Sequence, residues 1–452
     1  MTYHNAEKYI IEAREGADEA HYSFDRIAYV ASLLGAPQKR LNYIHLAGSN
    51  GKTICSALLS SVLAKSGYNV CTITLSRLSD IKENIRHNAT AISITELTEM
   101  VQGVSAAVNR MKENVARAKL LLEAEEELPE ELLDIPAPLL SDDVMLTLTR
   151  SEIILLAGIC FYTKCGCEIC VIESTHSATD PSLFLKPPFA AVICGAIPNE
   201  DKKQIARIRT YIRRGITEIV SAPQNAFAHK TISDICADIN CRFTVPVRSS
   251  LTVKQLSLIG TSFVYGGETY KLALCGRFQT TNAITVIEIV KMLRRCGFNI
   301  PADKEKEGLS SVKIKSRFEV LSVNPTIIAD STYKLEAVDT VCESFFDFSE
   351  ITGRYVKLCL PCDAELINTY IDRLSERGYK IPNIYSITKD EAEKQALSAG
   401  IPAEYSLDFF ATPKAAAKAL LASLERDDVL IISGRYSFTD TLRLEIMRAL
   451  AF

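Results

Sequence analysis

Apolar residues along this chain follow two alternating patterns, which predict strands and helices in turn. Short runs of consecutive apolar residues are typical of strands buried on both faces, and apolar residues spaced three or four apart are typical of helices. Ile54, Leu58 and Val62 show helical spacing directly after the first predicted strand. This alternation favours an α/β fold with a mostly parallel sheet. The predicted strands are residues 43–47, 69–74, 168–173, 190–194, 218–221, 326–329, 355–360 and 429–433.

The length of 452 residues exceeds what one core usually holds, so we expect more than one domain. A charged stretch at 301–315 separates a predicted helix from a new strand–helix series, and it predicts one domain over residues 1–310 and a second over 311–452. Residues 111–143 are also rich in charge. They suggest an exposed helical excursion or lid, and a solvated insertion without function is the favoured interpretation.

The most informative segment joins the first predicted strand to the helix after it, and it reads Gly48-Ser49-Asn50-Gly51-Lys52-Thr53. The glycines allow backbone N–H groups to approach phosphate oxygens closely. Lys52 supplies a mobile charge for the β- and γ-phosphates. Thr53 places a hydroxyl on Mg²⁺ at a helix N-terminus whose dipole favours anions. The segment therefore predicts ATP binding, and the alternative is an ordinary glycine-rich turn between a strand and a helix.

Composition narrows the class of protein. Hydrophobic residues make up 47% and charged residues 23% of the chain, as in ordinary soluble globular proteins. A formal net charge of −4 gives no electrostatic argument for nucleic acid or an anionic membrane, although local basic clusters could bind small anions. We find no basic leader before an apolar stretch and no uninterrupted apolar run of membrane-spanning length. We expect a cytoplasmic monomer that acts on small molecules.

The 14 cysteines lie mostly in apolar runs, where they behave as small hydrophobic residues in a reducing compartment. Two groups have spacings that could ligate zinc: Cys165 with Cys167 and Cys170, and Cys359 with Cys362. Neither group has a matching second half, so packing in the core is the favoured interpretation.

Only Ser49 and Asn50 separate the two loop glycines, a shorter spacing than in the commonest phosphate loop. The loop resembles that of the Mur ligase superfamily, whose enzymes use ATP to join an amino acid to a carboxylate. Over nearly its whole length the chain is similar to the folylpolyglutamate synthase and dihydrofolate synthase family within that superfamily. The resemblance implies an N-terminal Mur-ligase-type domain with the phosphate loop, a C-terminal Rossmann-like α/β domain, and ATP and Mg²⁺ as cofactors.

The resemblance also implies a metal site. Glu173 ends an apolar strand and matches the glutamate that coordinates Mg²⁺ in the family together with the loop hydroxyl, here Thr53. The alternative is a surface glutamate in a salt bridge. Where the family has an Asp-His pair with a metal-ligating histidine, this chain has Asn199 and Glu200. A carboxylate is a harder ligand than imidazole, so Glu200 is expected to keep the metal role.

Three segments depart from the family pattern. Ser76-Arg77 stands in place of a Pro-His pair, and residues 174–180 replace a glycine-rich turn. The family's carbamylated lysine, which holds a second Mg²⁺, corresponds to Arg213, and arginine stays protonated and cannot form a carbamate. Two interpretations of Arg213 remain. It holds a substrate carboxylate or the γ-phosphate, or it belongs with Arg214 to a solvated basic helix end.

Three further residues carry a nucleotide role implied by the resemblance: Asn282, Arg317 and Asp330. In the family the arginine reaches the ATP phosphates across the cleft. Lys52, Glu173 and Arg317 are the expected catalytic residues.

The favoured hypothesis is an ATP-dependent carboxylate–amine ligase of the folylpolyglutamate synthase type, which adds L-glutamate to a folate through an acyl phosphate. A second hypothesis keeps this chemistry with another carboxylate acceptor. A third is a nucleotide-binding relative without turnover.

Overall fold

The computed structural model describes residues 1–14, 23–48, 50–76, 78, 80–175, 179–197, 201–333, 335–348 and 355–451. Contacts within it group the chain into two units. The first contains Met1–Val247 and Asn282–Gly308, and the second contains Arg248–Thr281 and Leu309–Phe452. The sequence predicted a single boundary at residue 310, whereas the contacts also assign residues 248–281 to the second unit. The boundary at residue 310 stays a prediction.

The first unit is built on a sheet with the strand order β4-β3-β2-β5-β1-β6-β7-β8. The strands from β2 to β8 in this order are parallel, and β3 and β4 are antiparallel additions at one edge. Their bounds are β1 Tyr43–Gly48, β2 Val70–Thr74, β3 Ile85–His87, β4 Thr90–Ala91, β5 Ile169–Glu173, β6 Ala190–Cys194, β7 Glu218–Ser221 and β8 Arg242–Thr244.

Helices connect these strands and cover the sheet. They are α1 Tyr3–Ile11, α2 Asp25–Leu33, α3 Lys52–Lys65, α4 Ile94–Glu123, α5 Glu130–Leu133, α6 Ala137–Ser141, α7 Arg150–Lys164, α8 Lys202–Tyr211 and α9 Ala226–Asp238. Two more, α10 Phe278–Arg295 and α11 Ala302–Ser311, follow later in the chain. The charged excursion at 111–143 is largely helical. Met111, Leu132 and Leu139 are buried in the core, whereas Leu120, Leu122 and Leu133 are exposed.

A buried ion pair fixes α2 against α7. Arg26 Nε lies 3.0 Å from both carboxylate oxygens of Glu152, and the two side chains are 1% and 0% exposed. Glu152 also accepts a hydrogen bond from the backbone N–H of Thr149, which completes a capping box at the start of α7.

The segment Asp143–Lys164 is long and apolar enough to cross a membrane. However, 72% of its most apolar stretch is buried inside the structure, as in a core helix.

The second unit contains two sheets. A six-stranded sheet has the order β12-β13-β17-β14-β15-β16 and is parallel except for β12, and an antiparallel sheet has the order β11-β10-β9. The strands are β9 Leu251–Ser257, β10 Gly260–Tyr265, β11 Glu268–Leu272, β12 Glu319–Val323, β13 Thr326–Asp330, β14 Val356–Cys359, β15 Asn383–Ile387, β16 Ser406–Phe410 and β17 Val429–Ser433. The helices are α12 Leu335–Phe346, α13 Ala364–Glu376, α14 Glu391–Gly400, α15 Pro413–Ser423 and α16 Tyr436–Leu450.

The predicted α/β class is confirmed, and each of the eight predicted strands is present to within one or two residues at its ends. The antiparallel sheet of β9 to β11 was not predicted, and neither were β3, β4, β8, β12, β15 and β16. The strands of the antiparallel sheet alternate exposed and buried positions, so their apolar residues do not form the continuous runs that identified the eight predicted strands.

Gly308 in α11 tests how closely this helix packs on α3. A Cβ at Gly308 would lie 2.5 Å from Val62 Cα and 2.8 Å from Val62 N, and backbone cannot move aside cheaply. We expect Gly308→Ala to lower the free energy of unfolding by about 1 to 3 kcal/mol, measured by urea denaturation. Gly103 in α4 is a matched control because a Cβ there meets nothing within 4 Å. Gly103→Ala should raise stability by about 0.5 to 1 kcal/mol through helix propensity, and equal effects of the two substitutions would contradict the packing argument.

Candidate nucleotide-binding site

The phosphate loop lies at the carboxyl edge of the first unit's sheet, between the end of β1 and the start of α3. Two of its glycines are required by geometry. Gly48 has φ of 117°, and a Cβ there would lie 2.1 Å from the carbonyl oxygen of Cys194 on the neighbouring strand. Gly51 has φ of 79°, and a Cβ would lie 2.5 Å from Asn282 Oδ1. Both positions favour glycine for its left-handed backbone and for the close approach of its neighbours.

Lys52 folds back over this loop. Its Nζ donates a hydrogen bond to the carbonyl oxygen of Gly48 at 2.7 Å, and the residue is only 3% exposed. A buried ammonium held on a backbone carbonyl is poised to exchange that weak acceptor for a phosphate oxygen, which binds it more strongly. The ammonium group of Lys52 therefore lies at the loop, where the sequence predicted a phosphate-binding charge.

Glu173 lies beside the loop because β1 pairs with β5, with Leu46 opposite Glu173. Thr53 Oγ1 donates to Glu173 Oε1 at 2.9 Å, and Thr74 Oγ1 donates to Glu173 Oε2 at 3.3 Å. Glu173 is 2% exposed, so the alternative of a surface glutamate is wrong. A hydroxyl and a carboxylate at one point supply the hard oxygen ligands that Mg²⁺ prefers, so these two residues fit a metal ion.

Two predicted site residues, Ser49 and Glu200, lie outside the described residues, as do Arg77 and Asn199. In the described part of the chain no group of three or more His, Cys, Asp or Glu side chains is arranged to hold a metal ion. The metal role of Glu200 stays a prediction.

Asn282 belongs to the first unit and contacts the phosphate loop, as its approach to Gly51 shows. Its backbone carbonyl accepts a weak hydrogen bond from Cys55 Sγ at 3.8 Å, and the residue is 8% exposed. The structure thus brings Asn282 to a loop more than 200 positions earlier in the chain, consistent with the nucleotide role implied by the resemblance.

Asp330 and Arg317 belong to the second unit. Asp330 ends β13 and accepts a hydrogen bond from the backbone N–H of Phe318 at 2.7 Å. Burial raises the pKa of the Asp330 carboxyl, and a hydrogen bond with Thr332 and the charge of Arg317 oppose this shift. Arg317 is half-buried. Its side chain therefore lies near Asp330, and the nucleotide roles of both residues stay predictions.

Arg213 has a structural role. Its Nη1 donates to the carbonyl oxygens of Leu183 and Leu185 at 3.0 and 2.9 Å, and its Nη2 donates to the hydroxyl of Tyr43 at 3.3 Å. These bonds satisfy the carbonyls at the end of a 3₁₀ turn over Pro181–Phe184. The predicted alternatives do not describe this side chain, because the guanidinium is committed to backbone carbonyls rather than presented to a substrate or to solvent. Arg214, by contrast, is exposed.

A buried polar network below the loop was not predicted. Asp180 accepts hydrogen bonds from the backbone N–H groups of Thr175 and Ser182 at 2.5 and 2.8 Å, and from the Tyr211 hydroxyl at 3.2 Å. Ser182 Oγ also donates to Asp180 at 2.5 Å and lies 2.9 Å from Nε2 of His45 in β1. The Asp-Pro-Ser sequence signals a turn start, but only the fold shows that this carboxylate fixes the chain just after Glu173.

Comparisons with known proteins agree with this architecture. No protein-family model matches the chain. A probable bifunctional folylpolyglutamate synthase/dihydropteroate synthase of Halobacterium salinarum is 22% identical over 365 residues, which cover 77% of this chain and 40% of that protein. The chain thus spans well under half the length of this relative.

Solved structures show the same fold. A folylpolyglutamate synthase of Thermotoga maritima matches with a TM-score of 0.77 at 17% identity, over 99% of this chain and 97% of that one. A folylpolyglutamate synthase of Mycobacterium tuberculosis complexed with ADP and AMPPCP matches with a TM-score of 0.74 at 15% identity, over 98% of each chain.

Together the fold and the loop define an α/β protein with a phosphate-binding loop and the architecture of the solved folylpolyglutamate synthases. Within this class the chain is similar in sequence and in fold to folylpolyglutamate synthases.

The role of Arg213 can be tested against its neighbour. Arg213→Met should lower the free energy of unfolding by about 1 to 3 kcal/mol, because two backbone carbonyls lose their donor. Arg214→Met, on an exposed side chain, should stay within about 0.5 kcal/mol of the parent. Urea denaturation checks both values. Unchanged stability of Arg213→Met, together with loss of ATP affinity in a calorimetric titration, would instead assign Arg213 to phosphate binding.

His45 gives a pH-dependent prediction. The pKa of His45 is lowered to about 4, chiefly by burial; the charge of Asp180 opposes this shift, and the charges of Arg213 and Lys52 contribute to it. The native histidine therefore stays neutral while the unfolded chain takes up a proton below about pH 6.5. Stability should be complete above pH 6.5, fall by roughly 2 to 4 kcal/mol as the pH drops towards 4, and lose nothing more from this group below that.

The measurement is the free energy of unfolding of the parent and of His45→Gln across this pH range. The glutamine variant does not titrate there, so its free energy should fall less steeply with decreasing pH. Parallel profiles for the two proteins would show that His45 does not carry the effect.

Proposed function

We propose that the protein is an ATP-dependent ligase that joins the carboxylate of a folate-type acceptor to the amino group of L-glutamate. The observation that carries this proposal is the position of Lys52, which donates to the Gly48 carbonyl beside the Thr53–Glu173 pair. Support comes from the relative named folylpolyglutamate synthase/dihydropteroate synthase and from the similar structure bound to ADP and AMPPCP.

The reaction has two balanced steps. An oxygen of the acceptor carboxylate attacks the γ-phosphorus of ATP, and ADP leaves, which gives an acyl phosphate. The glutamate amine then attacks the acyl carbon, loses a proton and expels inorganic phosphate. No side chain has to act as a nucleophile, so the protein contributes chiefly position and charge.

Named residues of the first unit supply that charge. Lys52 would neutralise oxygens of the β- and γ-phosphates, and the backbone N–H groups of the glycine-rich loop would hold them. Mg²⁺ would be held by Thr53 and Glu173, with Glu200 as a further ligand, and would supply charge neutralisation at the phosphates. In the second unit, Arg317 and Asp330 are proposed to contact the nucleotide. The protein is proposed to act as a cytoplasmic monomer on small molecules.

A different acceptor is the second candidate. Asp180, at the end of the segment that replaces the family's glycine-rich turn, accepts hydrogen bonds from the backbone N–H groups of Thr175 and Ser182. Arg213 is engaged by backbone carbonyls and does not replace the carbamylated lysine. The chain around the phosphate loop is thus rebuilt with its own internal contacts, which favours a changed acceptor while the nucleotide loop is kept. A relative without turnover is the remaining alternative.

The deciding experiment measures ATP turnover by the purified protein with Mg²⁺ and L-glutamate, using dihydropteroate, a reduced folate or no acceptor. Mass spectrometry identifies the products. Folate-dependent ADP release with one glutamate added supports the proposal. Tight ATP binding without folate-dependent turnover points to another acceptor or to a protein without turnover.

Lys52→Ala tests the loop directly. The change removes the ammonium that meets the phosphates, so ATP affinity in a calorimetric titration should be lost. Lys39→Ala, on an exposed lysine of a separate turn, should bind ATP like the parent protein and serves as the matched control. Unchanged ATP affinity of Lys52→Ala would refute the assignment of the loop.

A further inference from the structure

Helix α8 concentrates positive charge in a chain whose net charge is −4. Residues 202–214, which cover α8 and the turn after it, include six lysines and arginines and no aspartate or glutamate. A run of like charges on a short helix repels itself unless anions or opposite charges lie nearby.

Packing decides which way these side chains point. Ile205, Ile208 and Ile212 recur at helical spacing and pack into the core beneath the helix, and Arg213 bonds to backbone as described above. The other five basic residues are exposed, and none of them makes an ion pair with a carboxylate in the described part of the chain. We call these five the basic face: Lys202, Lys203, Arg207, Arg209 and Arg214.

The basic face starts near the phosphate loop. Strand β6 ends at Cys194, which pairs with Gly48 of the loop, and α8 is the next helix, with Asp201 as its N-cap. A helix that joins two parallel strands runs back from the carboxyl edge of the sheet to the amino edge. The basic face therefore extends from the edge that carries the loop along the outer surface of the first unit.

We propose that the basic face binds the acidic oligoglutamyl chain of a substrate that is extended by several glutamates. This inference rests on the proposed function, since an enzyme that adds glutamates one after another binds such a chain as substrate. Each added glutamate contributes one free carboxylate, so the charge of the chain is complementary to that of the helix. The face recognises this chain by charge, and the nucleotide site remains at the loop.

The spacing of charges also matches. One γ-linked glutamate has five backbone bonds instead of the three that span about 3.5 Å in an ordinary peptide, so carboxylates recur at roughly 6 Å. Side chains on successive turns of a helix face, such as Lys203 and Arg207, are about 5 to 6 Å apart. Single-stranded nucleic acid is less suitable, because its bases need aromatic side chains for stacking. The one aromatic residue within 202–214, Tyr211, is only 6% exposed.

The test uses the full-length protein and fluorescein-labelled penta-γ-L-glutamate, with binding followed by fluorescence anisotropy at low and high salt. The basic-face variant carries Lys203→Gln, Arg207→Gln and Arg214→Gln. The control carries Lys39→Gln, Arg110→Gln and Lys112→Gln, which remove the same charge from exposed positions elsewhere in the first unit.

We expect the parent and the control to bind the peptide equally and the basic-face variant to bind it roughly 3- to 100-fold more weakly, since three exposed ion pairs are lost. Added salt should weaken binding by the parent. If thermal unfolding shows that the triple variant is not folded, Arg207→Gln alone takes its place and should show a smaller loss of the same sign.

Two results would overturn the inference. One is equal affinity of the basic-face variant and the control for the peptide, or no binding by the parent at low salt. The other is tighter binding of a single-stranded oligonucleotide of the same charge than of the peptide. Because the probe contains neither folate nor nucleotide, failure of folate turnover leaves this result interpretable, and failure of peptide binding leaves the proposed ligase activity intact.

Discussion

The parallel pairing of β1 with β5 on one side and β6 on the other is the constraint on which the candidate site depends. The register sets Leu46 opposite Glu173 and Gly48 opposite Cys194. The pairing of β1 thereby places the phosphate loop, the Glu173 carboxylate and the end of β6 at one edge of the sheet. A shift of one residue would turn every side chain of β1 to the other face and separate the Thr53 hydroxyl from Glu173.

Buried polar side chains next to β1 support its register with β5 and β6. Asp180 gathers donors from Thr175, Ser182 and Tyr211, and Ser182 contacts His45 in the middle of β1. Such groups are costly to bury alone but rigid when satisfied, so Asp180 ties Thr175 and Ser182 to the core of the first unit.

Charge is divided along a single stretch of chain. Arg213 is turned inwards and bonds to carbonyls, whereas Arg214 and the basic residues of α8 face solvent. The inward arginine stabilises a turn, and the outward ones create a surface that attracts anions. Arg213 and Arg214 therefore have different roles, because one side chain points towards the core and the other towards solvent.

The sequence by itself determined eight strands of the parallel sheets, the phosphate loop and the importance of Glu173, because strand runs and glycine-rich turns are local signals carried by neighbouring residues. Only the tertiary structure decided the role of Arg213, the network around Asp180 and the grouping of residues 248–281 with the second unit. Arg213 meets Tyr43 across 170 positions of sequence. A hydrogen-bond partner so distant is selected by the folded arrangement of strands, and no local pattern of residues encodes it.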